Sequence, residues 1–355
     1  MRKVAADSAV CAQSLSLQEE LEERFTCGLD GIYVSGADGY WSNLTLDENR
    51  RLIEALRTKS PREALIEHQP WLEDIIYSPK RPAGLELLRL TGEETCIDYG
   101  CMWGALTIPL AQRTRYVVGV DQTPESLAFL QARLKESRCD NVALLNHDVR
   151  SMPILSNKVD VAVVNGVLEW IPEQGVVELK TYFAQRQKRA YAGDPQAHQK
   201  SFLEKVRANL REKGKLYLAI ENRYDLNSFF GARDPHTGLL FTSFTPRAVA
   251  SLLSKLQLGR PYVNWLYSFR GLSRLLIDSG FSRVDLYMCF PDYRYPERII
   301  PFGHSLRSFR PTISSINSRG RKSLKRQLAR AGEYLAFRWL RLKWLAPSII
   351  AIAHK

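Results

Sequence analysis

The stretch TCIDYGCMWGALTIPLAQRTRYVVGVD, residues Thr95–Asp121, decides the fold of this chain. A β-rich run (95–99) leads into a glycine turn (100–104), a helical run (105–113) and a second β-rich run (116–120), and Asp121 follows at once. Strand, glycine turn, helix, strand and acid make up the first half of a nucleotide-binding α/β unit. The glycines let the backbone approach a ligand, the helix N-terminus offers unpaired N–H groups, and the acid can hold two ribose hydroxyls. The stretch therefore predicts a site for a nucleotide-like cofactor.

Polar residues stand at the ends of five successive strand-like runs. The runs are almost continuously apolar and alternate with helical segments, which predicts a parallel sheet covered on both faces. In such α/β sheets, ligands bind beyond the carboxyl ends of the strands. The polar residues at those ends are Asp98, Asp121, Asp148, Asn165 and Glu221. We therefore expect one ligand site along a single edge of the sheet.

Two further segments flank this core. Residues 1–80 are predicted to form a helical extension, because capping boxes begin at Ser16, Thr45 and Ser60. The remainder, 81–355, is predicted to be one domain that carries an insertion at 223–270 and a basic helical segment at 303–346. The insertion is rich in Gly, Pro and aromatic residues and follows a ligand-facing strand end, which is typical of a lid or substrate-pocket element. The basic loop Tyr77–Pro82 before the first strand could cover the cofactor cleft, but a solvated turn is the favoured interpretation.

Charge and cysteine placement narrow the class of protein. The formal net charge is +12, and residues 303–355 contain 12 Lys or Arg against one acid. The rest of the chain, residues 1–302, is therefore nearly neutral. The six cysteines are scattered without a C-x-x-C pair, and the histidines do not cluster, so no metal site is expected. Reduced thiols and the lack of a sustained apolar segment at the N-terminus predict a cytoplasmic protein.

The strand ends resemble those of class I S-adenosylmethionine (SAM)-dependent methyltransferases, whose sheet has seven strands with a late antiparallel hairpin. The resemblance runs from about Tyr77 to the end of the chain and implies a Rossmann-like α/β fold with SAM as the cofactor. It implies these cofactor-binding residues: Asp98, Gly100 and Gly104 around the methionine moiety, Asp121 at the ribose, Asp148 at the adenine, and Asn165 with Gly166 under the sulfonium. The sequence departs from the family at Met102, where the middle glycine of the turn is expected and a side chain could crowd the cofactor.

Several downstream strings are similar to a bacterial subgroup found with genes for surface polysaccharides and glycosyl transfer. They are DPxxxQxxFL (194–203), ENR (221–223), DPHTG (234–238) and FPDYRYPE (290–297). The resemblance implies methyl transfer to an oxygen or nitrogen of a small-molecule or saccharide acceptor, in cell-surface glycan biosynthesis.

Methyl transfer to a hydroxyl or a protonated amine requires a base. The candidates beyond the fifth strand are Glu221 and His236, with Arg223 as a group that orients a polar or anionic acceptor. Glu221 and Arg223 could instead form an ion pair that holds the insertion, and His236 could stabilise a turn. Glu169 and Trp170 are interpreted as packing residues, whereas Tyr293 and Tyr295 are candidates for lining the acceptor site.

The basic tail leaves three roles open: contact with an anionic membrane through residues 321–344, contact with nucleic acid, or an ordinary solvated face. Nucleic acid is disfavoured, because the Asn-Pro-Pro-Tyr-type motif of base-amino methylation is missing. An RNA methyltransferase stays an alternative, as does a SAM-fold binding protein without turnover, which Met102 keeps open. A nicotinamide-dependent oxidoreductase is disfavoured, because the turn lacks the G-x-G-x-x-G spacing.

Overall fold

A ten-stranded mixed sheet forms the centre of the molecule. The structure is a computed structural model, and it describes residues 17–28, 30–35, 40–155, 159–173, 176–178, 193–311 and 331–355. The strands of the large sheet, in chain order, are β1 (Thr26–Cys27), β2 (Tyr33–Val34), β4 (Thr95–Tyr99), β5 (Tyr116–Asp121), β6 (Val142–Asn146), β7 (Val159–Asn165), β9 (Leu210–Glu221), β10 (Arg283–Phe290), β11 (Arg298–Pro301) and β12 (Ser348–His354). A separate parallel pair consists of β3 (Tyr40–Ser42) and β8 (Val176–Glu178).

The order of the central seven strands is β6-β5-β4-β7-β9-β12-β10. The first five run parallel, and β12 lies antiparallel between β9 and β10. This is the seven-stranded class I methyltransferase sheet with its late antiparallel strand, so the predicted fold class is confirmed. The sheet is larger than predicted, because β1 and β2 extend one edge and β11 extends the other.

Helices cover both faces of the sheet. Ile97 and Tyr99 on β4 belong to one buried cluster, whereas Cys96, which precedes Ile97, belongs to another, as expected for a strand buried on both sides. The described helices are 17–24, Leu46–Ala55, Pro61–His68, Pro70–Tyr77, Thr107–Ala111, Pro124–Ser137, Pro195–Asn209, Leu226–Phe229, Arg247–Leu258 and Phe269–Asp278. Short 3₁₀ turns occur at Arg81–Leu88, Val149–Ser151, Leu168–Trp170 and Lys343–Leu345, and a π-helical turn at Tyr334–Trp339.

The N-terminal extension is less uniformly helical than predicted. The capping boxes at Thr45 and Ser60 are present, and they start two of its helices. The segment between the first two helices contains the short strands β1, β2 and β3. In β2, the aromatic Tyr33 and the β-branched Val34 favour a strand and pair beside β6. The capping box at Ser16 lies outside the described residues.

The structure describes the whole insertion, 223–270, but only part of the basic tail. Within 223–270, the helix Arg247–Leu258 ends at Gly259, and its neighbours are irregular segments. Of the basic segment predicted at 303–346, residues 312–330 lie outside the described part. Among the helices that are described, none combines the length and the apolar character needed to cross a membrane.

Candidate active site

The turn after β4 keeps the backbone conformation of a glycine turn. Gly100 and Gly104 have φ values of +74° and +78°, and Met102 adopts a left-handed φ of +45° although it carries a side chain. A Cβ atom at Gly100 would lie 2.5 Å from Cγ2 of Val167, so this position requires glycine for space as well as for φ. Gly104 instead packs against Leu130. Met102 therefore holds the left-handed backbone conformation that a glycine at this position would readily adopt.

Asp121 ties this turn to the end of β5. Its Oδ2 accepts the backbone N–H of Met102 and its Oδ1 that of Thr123, both at 2.9 Å. Each carboxylate oxygen has a second lone pair available for a ligand hydroxyl. Burial raises the pKa of Asp121 to about 6 in spite of these hydrogen bonds. Asp98 is also buried, with its pKa raised to about 6 by burial, and accepts the Thr107 hydroxyl at 2.7 Å.

A cleft of about 650 Å³ opens at these strand ends. Six residues predicted at the cofactor site line it: Gly100, Met102, Asp121, Asp148, Asn165 and Gly166. Asp148 is held by the side chain and the backbone N–H of Arg150, and these hydrogen bonds lower its pKa although burial alone would raise it. A nucleotide-sized cofactor fits this donor set, because acids end two adjacent strands and a side-chain-free backbone faces the cavity at Gly100. Asp98 and Gly104 do not line this cleft.

A second cavity of about 970 Å³ adjoins the first. The residues that line both cavities are Trp41, Gly100, Met102, Asn165, Gly166 and Trp170. Trp41 and Trp170 form an edge-to-face pair with ring centroids 5.2 Å apart, and the Trp170 ring lies 5.1 Å from that of His236. We call this second space the acceptor pocket.

Glu169, Glu221 and His236 meet in the acceptor pocket. Nε2 of His236 lies 3.8 Å from Oε1 of Glu169 and 3.8 Å from Oε2 of Glu221. His236 and Glu169 are buried, at 2% and 1% exposure. Burial alone would lower the pKa of His236, but the neighbouring Asp234, Glu169 and Glu221 outweigh it and raise the pKa to about 10. Burial raises the pKa of Glu169. A raised pKa favours the protonated imidazole, whose positive charge would balance the carboxylates around it.

Asp234 positions His236 within the insertion. Its Oδ1 accepts the backbone N–H groups of His236 and Thr237, and its Oδ2 accepts the hydroxyl of Tyr262 at 3.1 Å. Nδ1 of His236 lies 3.6 Å from Oδ1 of Asp234. The DPHTG string thus places the His236 imidazole at the pocket. The role of the insertion as a substrate-pocket element stays a prediction.

The same cluster has the composition of a metal site. Glu169, Glu221 and His236 each offer one ligand atom, and these atoms lie within 4.8 Å of one another. A protonated His236 would itself supply the positive charge that a metal ion would bring between the two carboxylates. That no metal is bound here stays a prediction.

The three consecutive residues of the ENR string, 221–223, make different contacts. Glu221 faces the acceptor pocket. Asn222 donates to the carbonyls of Trp344 and Ala346, before β12. Arg223 donates to the carbonyls of Ser243 and Thr245, so it holds the insertion and does not line the pocket. Arg223 is thus not among the residues that line this pocket, and its hydrogen bonds to backbone carbonyls, not the alternative ion pair with Glu221, tie it to the insertion.

Sequence reasoning missed two residues of the pocket. Glu169, interpreted from the sequence as a packing residue, is part of the carboxylate–imidazole cluster. The sequence did contain one indication of this role, because Glu169 follows the strand-end residue Asn165 by only four positions. Arg81 belongs to the loop predicted to be a solvated turn, yet it lines the acceptor pocket. Tyr293 lines the pocket as predicted, and its hydroxyl donates to Oε1 of Glu221 at 3.3 Å. Tyr295 is not among the lining residues.

Comparisons with known proteins agree with this fold. Residues 96–189 match the family model of a methyltransferase domain. A probable cobalt-precorrin-6B C(15)-methyltransferase (decarboxylating) of Methanothermobacter thermautotrophicus is 32% identical over 74 residues, which cover 21% of this chain and 38% of that protein. A counterpart from Methanobrevibacter smithii is 30% identical over 78 residues, covering 22% of this chain and 42% of that protein. The chain thus spans about two fifths of the length of the curated relatives it matches.

Among solved structures, a SAM-dependent methyltransferase from Thermotoga maritima, a possible histamine N-methyltransferase, has 10% identity and a TM-score of 0.42. The alignment covers 83% of this chain and 97% of that one. The strand order and the match of residues 96–189 define the class of the domain, a class I SAM-dependent methyltransferase domain, and the cofactor of that class is SAM.

Proposed function

We propose that this chain transfers a methyl group from SAM to an oxygen or nitrogen of a small-molecule or saccharide acceptor. The observation that supports this most directly is the meeting of two cavities at Gly100, Met102, Asn165 and Gly166. One cavity has the acids of a nucleotide cofactor site, and the other has a charged cluster beside the shared wall. Positioning of this kind supplies much of the rate enhancement of an in-line displacement.

The cofactor would occupy the cleft lined by the strand-end acids. Asp121 would hold the ribose hydroxyls, Asp148 would lie at the adenine, and Asn165 would lie under the sulfonium. Bound SAM supplies an electrophilic methyl group. The protein's own contribution is to fix the acceptor against the wall that the two cavities share and to take its proton.

Glu221 is the better of the two predicted bases. The raised pKa of His236 keeps its imidazole protonated at neutral pH, so it has no lone pair with which to accept a proton. Oε2 of Glu221 has no hydrogen-bond partner among the described residues, while its Oε1 is held by Tyr293. Glu221 would take the acceptor proton, and the electron pair left on the acceptor atom would bond to the methyl carbon as the bond from that carbon to sulfur breaks, with S-adenosylhomocysteine as the leaving group. The imidazolium of His236 holds the carboxylates in place.

A direct test is calorimetry with S-adenosylhomocysteine, followed by turnover measured as release of that product from a panel of amine, hydroxyl and saccharide acceptors. We expect Asp121→Ala to abolish cofactor binding, and Glu221→Gln to abolish turnover while cofactor binding is kept. Near-normal turnover in both Glu221→Gln and His236→Ala would contradict the proposed roles. Cofactor binding without turnover on any acceptor would favour the alternative of a SAM-fold binding protein.

A role in cell-surface glycan biosynthesis is part of the proposal, and it is supported by the resemblance of the ENR, DPHTG and FPDYRYPE strings. Peripheral contact with an anionic membrane through residues 321–344 would bring the enzyme to lipid-linked acceptors. The described end of that segment exposes Leu335, Trp339 and Leu340 next to Arg338 and Arg341, the composition of an interfacial surface. Co-sedimentation with liposomes that contain or lack anionic lipid tests this, and equal binding to both would remove the electrostatic membrane contact. An RNA acceptor would be indicated by turnover on RNA alone.

A further inference from the structure

Arg81 is a half-buried charge that the mechanism above does not use. It lines the acceptor pocket, and its guanidinium carbon lies 5.9 Å from the centre of the Tyr293 ring. Its Nε and Nη1 atoms are shut off from solvent and have no hydrogen-bond partner among the described residues. Burial lowers the pKa of Arg81. Because a guanidinium stays charged in proteins, this is a cation next to a cavity with two donor groups unfilled.

The neighbouring basic residues already have partners. Arg294 lines the same pocket, with its guanidinium carbon 5.8 Å from the Tyr293 ring, and its Nε lies 3.5 Å from Oδ1 of Asp292. Lys80, the residue before Arg81, forms an exposed ion pair with Glu297 at 2.8 Å. Arg294 is thus paired with Asp292, whereas Arg81 has a longer-range attraction to the Asp98 carboxylate of the same pocket and no hydrogen bond from its Nε and Nη1 to any described residue.

The backbone fixes Arg81 in this place. It begins the 3₁₀ turn Arg81–Leu88, whose Gly84 packs so closely on the hydroxyl end of Tyr217 that a Cβ atom would overlap it. Leu85 and Leu88 of the same turn are buried. Because this turn is packed against the core, its backbone holds the Arg81 side chain at the pocket.

Tyr293 joins this charge to the proposed base. Its ring lies beside both guanidinium groups, and its hydroxyl donates to Oε1 of Glu221. A ligand in the pocket therefore meets positive charge beside the Tyr293 ring and the proton-accepting carboxylate at the Tyr293 hydroxyl. A guanidinium matches the planar, two-oxygen edge of a carboxylate and the oxygens of a phosphate.

We propose that the methyl acceptor carries an anionic group, a carboxylate or a phosphate, and that Arg81 binds it. This inference rests on the proposed function, because it assigns the acceptor to this cavity. It excludes uncharged saccharides as the preferred acceptor and indicates an acidic or phosphorylated molecule. Arg294 adds a second positive charge that Asp292 holds in position.

The test uses the full chain saturated with S-adenosylhomocysteine and measures binding of inorganic phosphate and of acetate by calorimetry. We compare wild type with Arg81→Met, and with Lys80→Met as a control that removes an adjacent, already paired charge. Loss of a hydrogen bond to a charged group corresponds to an affinity loss of roughly ten- to a hundredfold, so we expect Arg81→Met to weaken anion binding at least tenfold and Lys80→Met to leave it nearly unchanged. Tighter binding of phosphate than of acetate would assign a phosphorylated acceptor, and the reverse order a carboxylic acid.

Stability supplies a readout that a structural role for Arg81 would not produce. Replacing an unpaired, half-buried charge by an apolar side chain of similar length removes a desolvation cost. We therefore expect Arg81→Met to melt a few degrees higher than wild type without ligand. If the variant fails to fold, phenylglyoxal labelling of Arg81 in the wild type, followed by peptide mass spectrometry, gives the same answer: phosphate or acetate should slow the labelling.

Two outcomes overturn the proposal. One is equal anion affinity in wild type and Arg81→Met, and the other is an unprotected Arg81 in a protein that still binds S-adenosylhomocysteine. In both cases cofactor binding persists, so the proposed methyl transfer stands. Failure to bind S-adenosylhomocysteine would instead refute the proposed function while leaving anion binding measurable.

Discussion

Met102 offers the sharpest test of how the cofactor site is built. It occupies the position where the family has a glycine, it holds a φ of +45°, and its side chain borders both cavities. It is half-buried and packs against the buried cluster that contains Trp103. The structure therefore favours a methionine that forms part of the cavity wall over one that blocks the cofactor. The perturbation is a pair of variants, Met102→Gly and Met102→Ala.

The pair separates backbone strain from the loss of the side chain. An L-residue in the left-handed region costs about 1–2 kcal/mol, which glycine relieves, while glycine loses about 0.4–1 kcal/mol through the freedom it adds to the unfolded chain. We therefore expect Met102→Gly to be more stable than Met102→Ala by roughly 0.5–1 kcal/mol. Both variants lose the side chain. Full burial of a methionine contributes about 1.5–3 kcal/mol, so a partly covered one should contribute about 1 kcal/mol to binding, or about fivefold in Kd.

The assays are urea denaturation for stability and calorimetry with S-adenosylhomocysteine for binding. The expected result is cofactor binding about fivefold weaker in both variants, with Met102→Gly the more stable of the two. Tighter binding by Met102→Gly would refute the reasoning, because it would show that the methionine crowds the cofactor. Equal stability of the two variants would show that the left-handed backbone is not under strain.

The remaining predictions concern the turn, the imidazole and metal ions. Gly100→Ala should lower the free energy of unfolding by at least about 1–2 kcal/mol, because of its φ of +74° and the contact with Val167, and should abolish cofactor binding; adding Val167→Ala should restore only part of the stability. The pKa of His236, raised to about 10 from its usual 6.5, contributes stability that is complete below pH 6.5 and is lost as the pH rises towards 10. Thermal melts should therefore show wild type losing stability over that range relative to His236→Gln, and parallel curves would show that the imidazole is not protonated. Because the His236 proton balances the cluster, EDTA should change neither turnover nor the melting temperature, and metal analysis of the purified protein should find no stoichiometric divalent ion; a bound ion lost in Glu169→Gln would contradict this.

The sequence by itself determined the core of the fold and the floor of the cofactor site. The apolar runs with acids at their ends, above all Thr95–Asp121, predicted a parallel sheet with a ligand at one edge, and Asp121, Asp148 and Asn165 line one cleft there. These features are local in the chain, because a strand, its terminal acid and the following turn are consecutive residues. The capping boxes at Thr45 and Ser60 could be predicted for the same reason, because the residues that form each box are three positions apart in the chain.

Only the tertiary structure decided the acceptor pocket. Glu169, Glu221 and His236 belong to three segments whose side chains meet because the insertion folds back over the strand ends, and no spacing in the sequence encodes that return. The chain alone could not show that Arg223 turns to backbone carbonyls or that Arg81 turns inward, since both choices depend on which buried groups already have partners. At Met102 the sequence showed a missing glycine, whereas the backbone shows that its left-handed conformation was retained. Residue type predicts what a side chain can do, and long-range packing decides which group it faces.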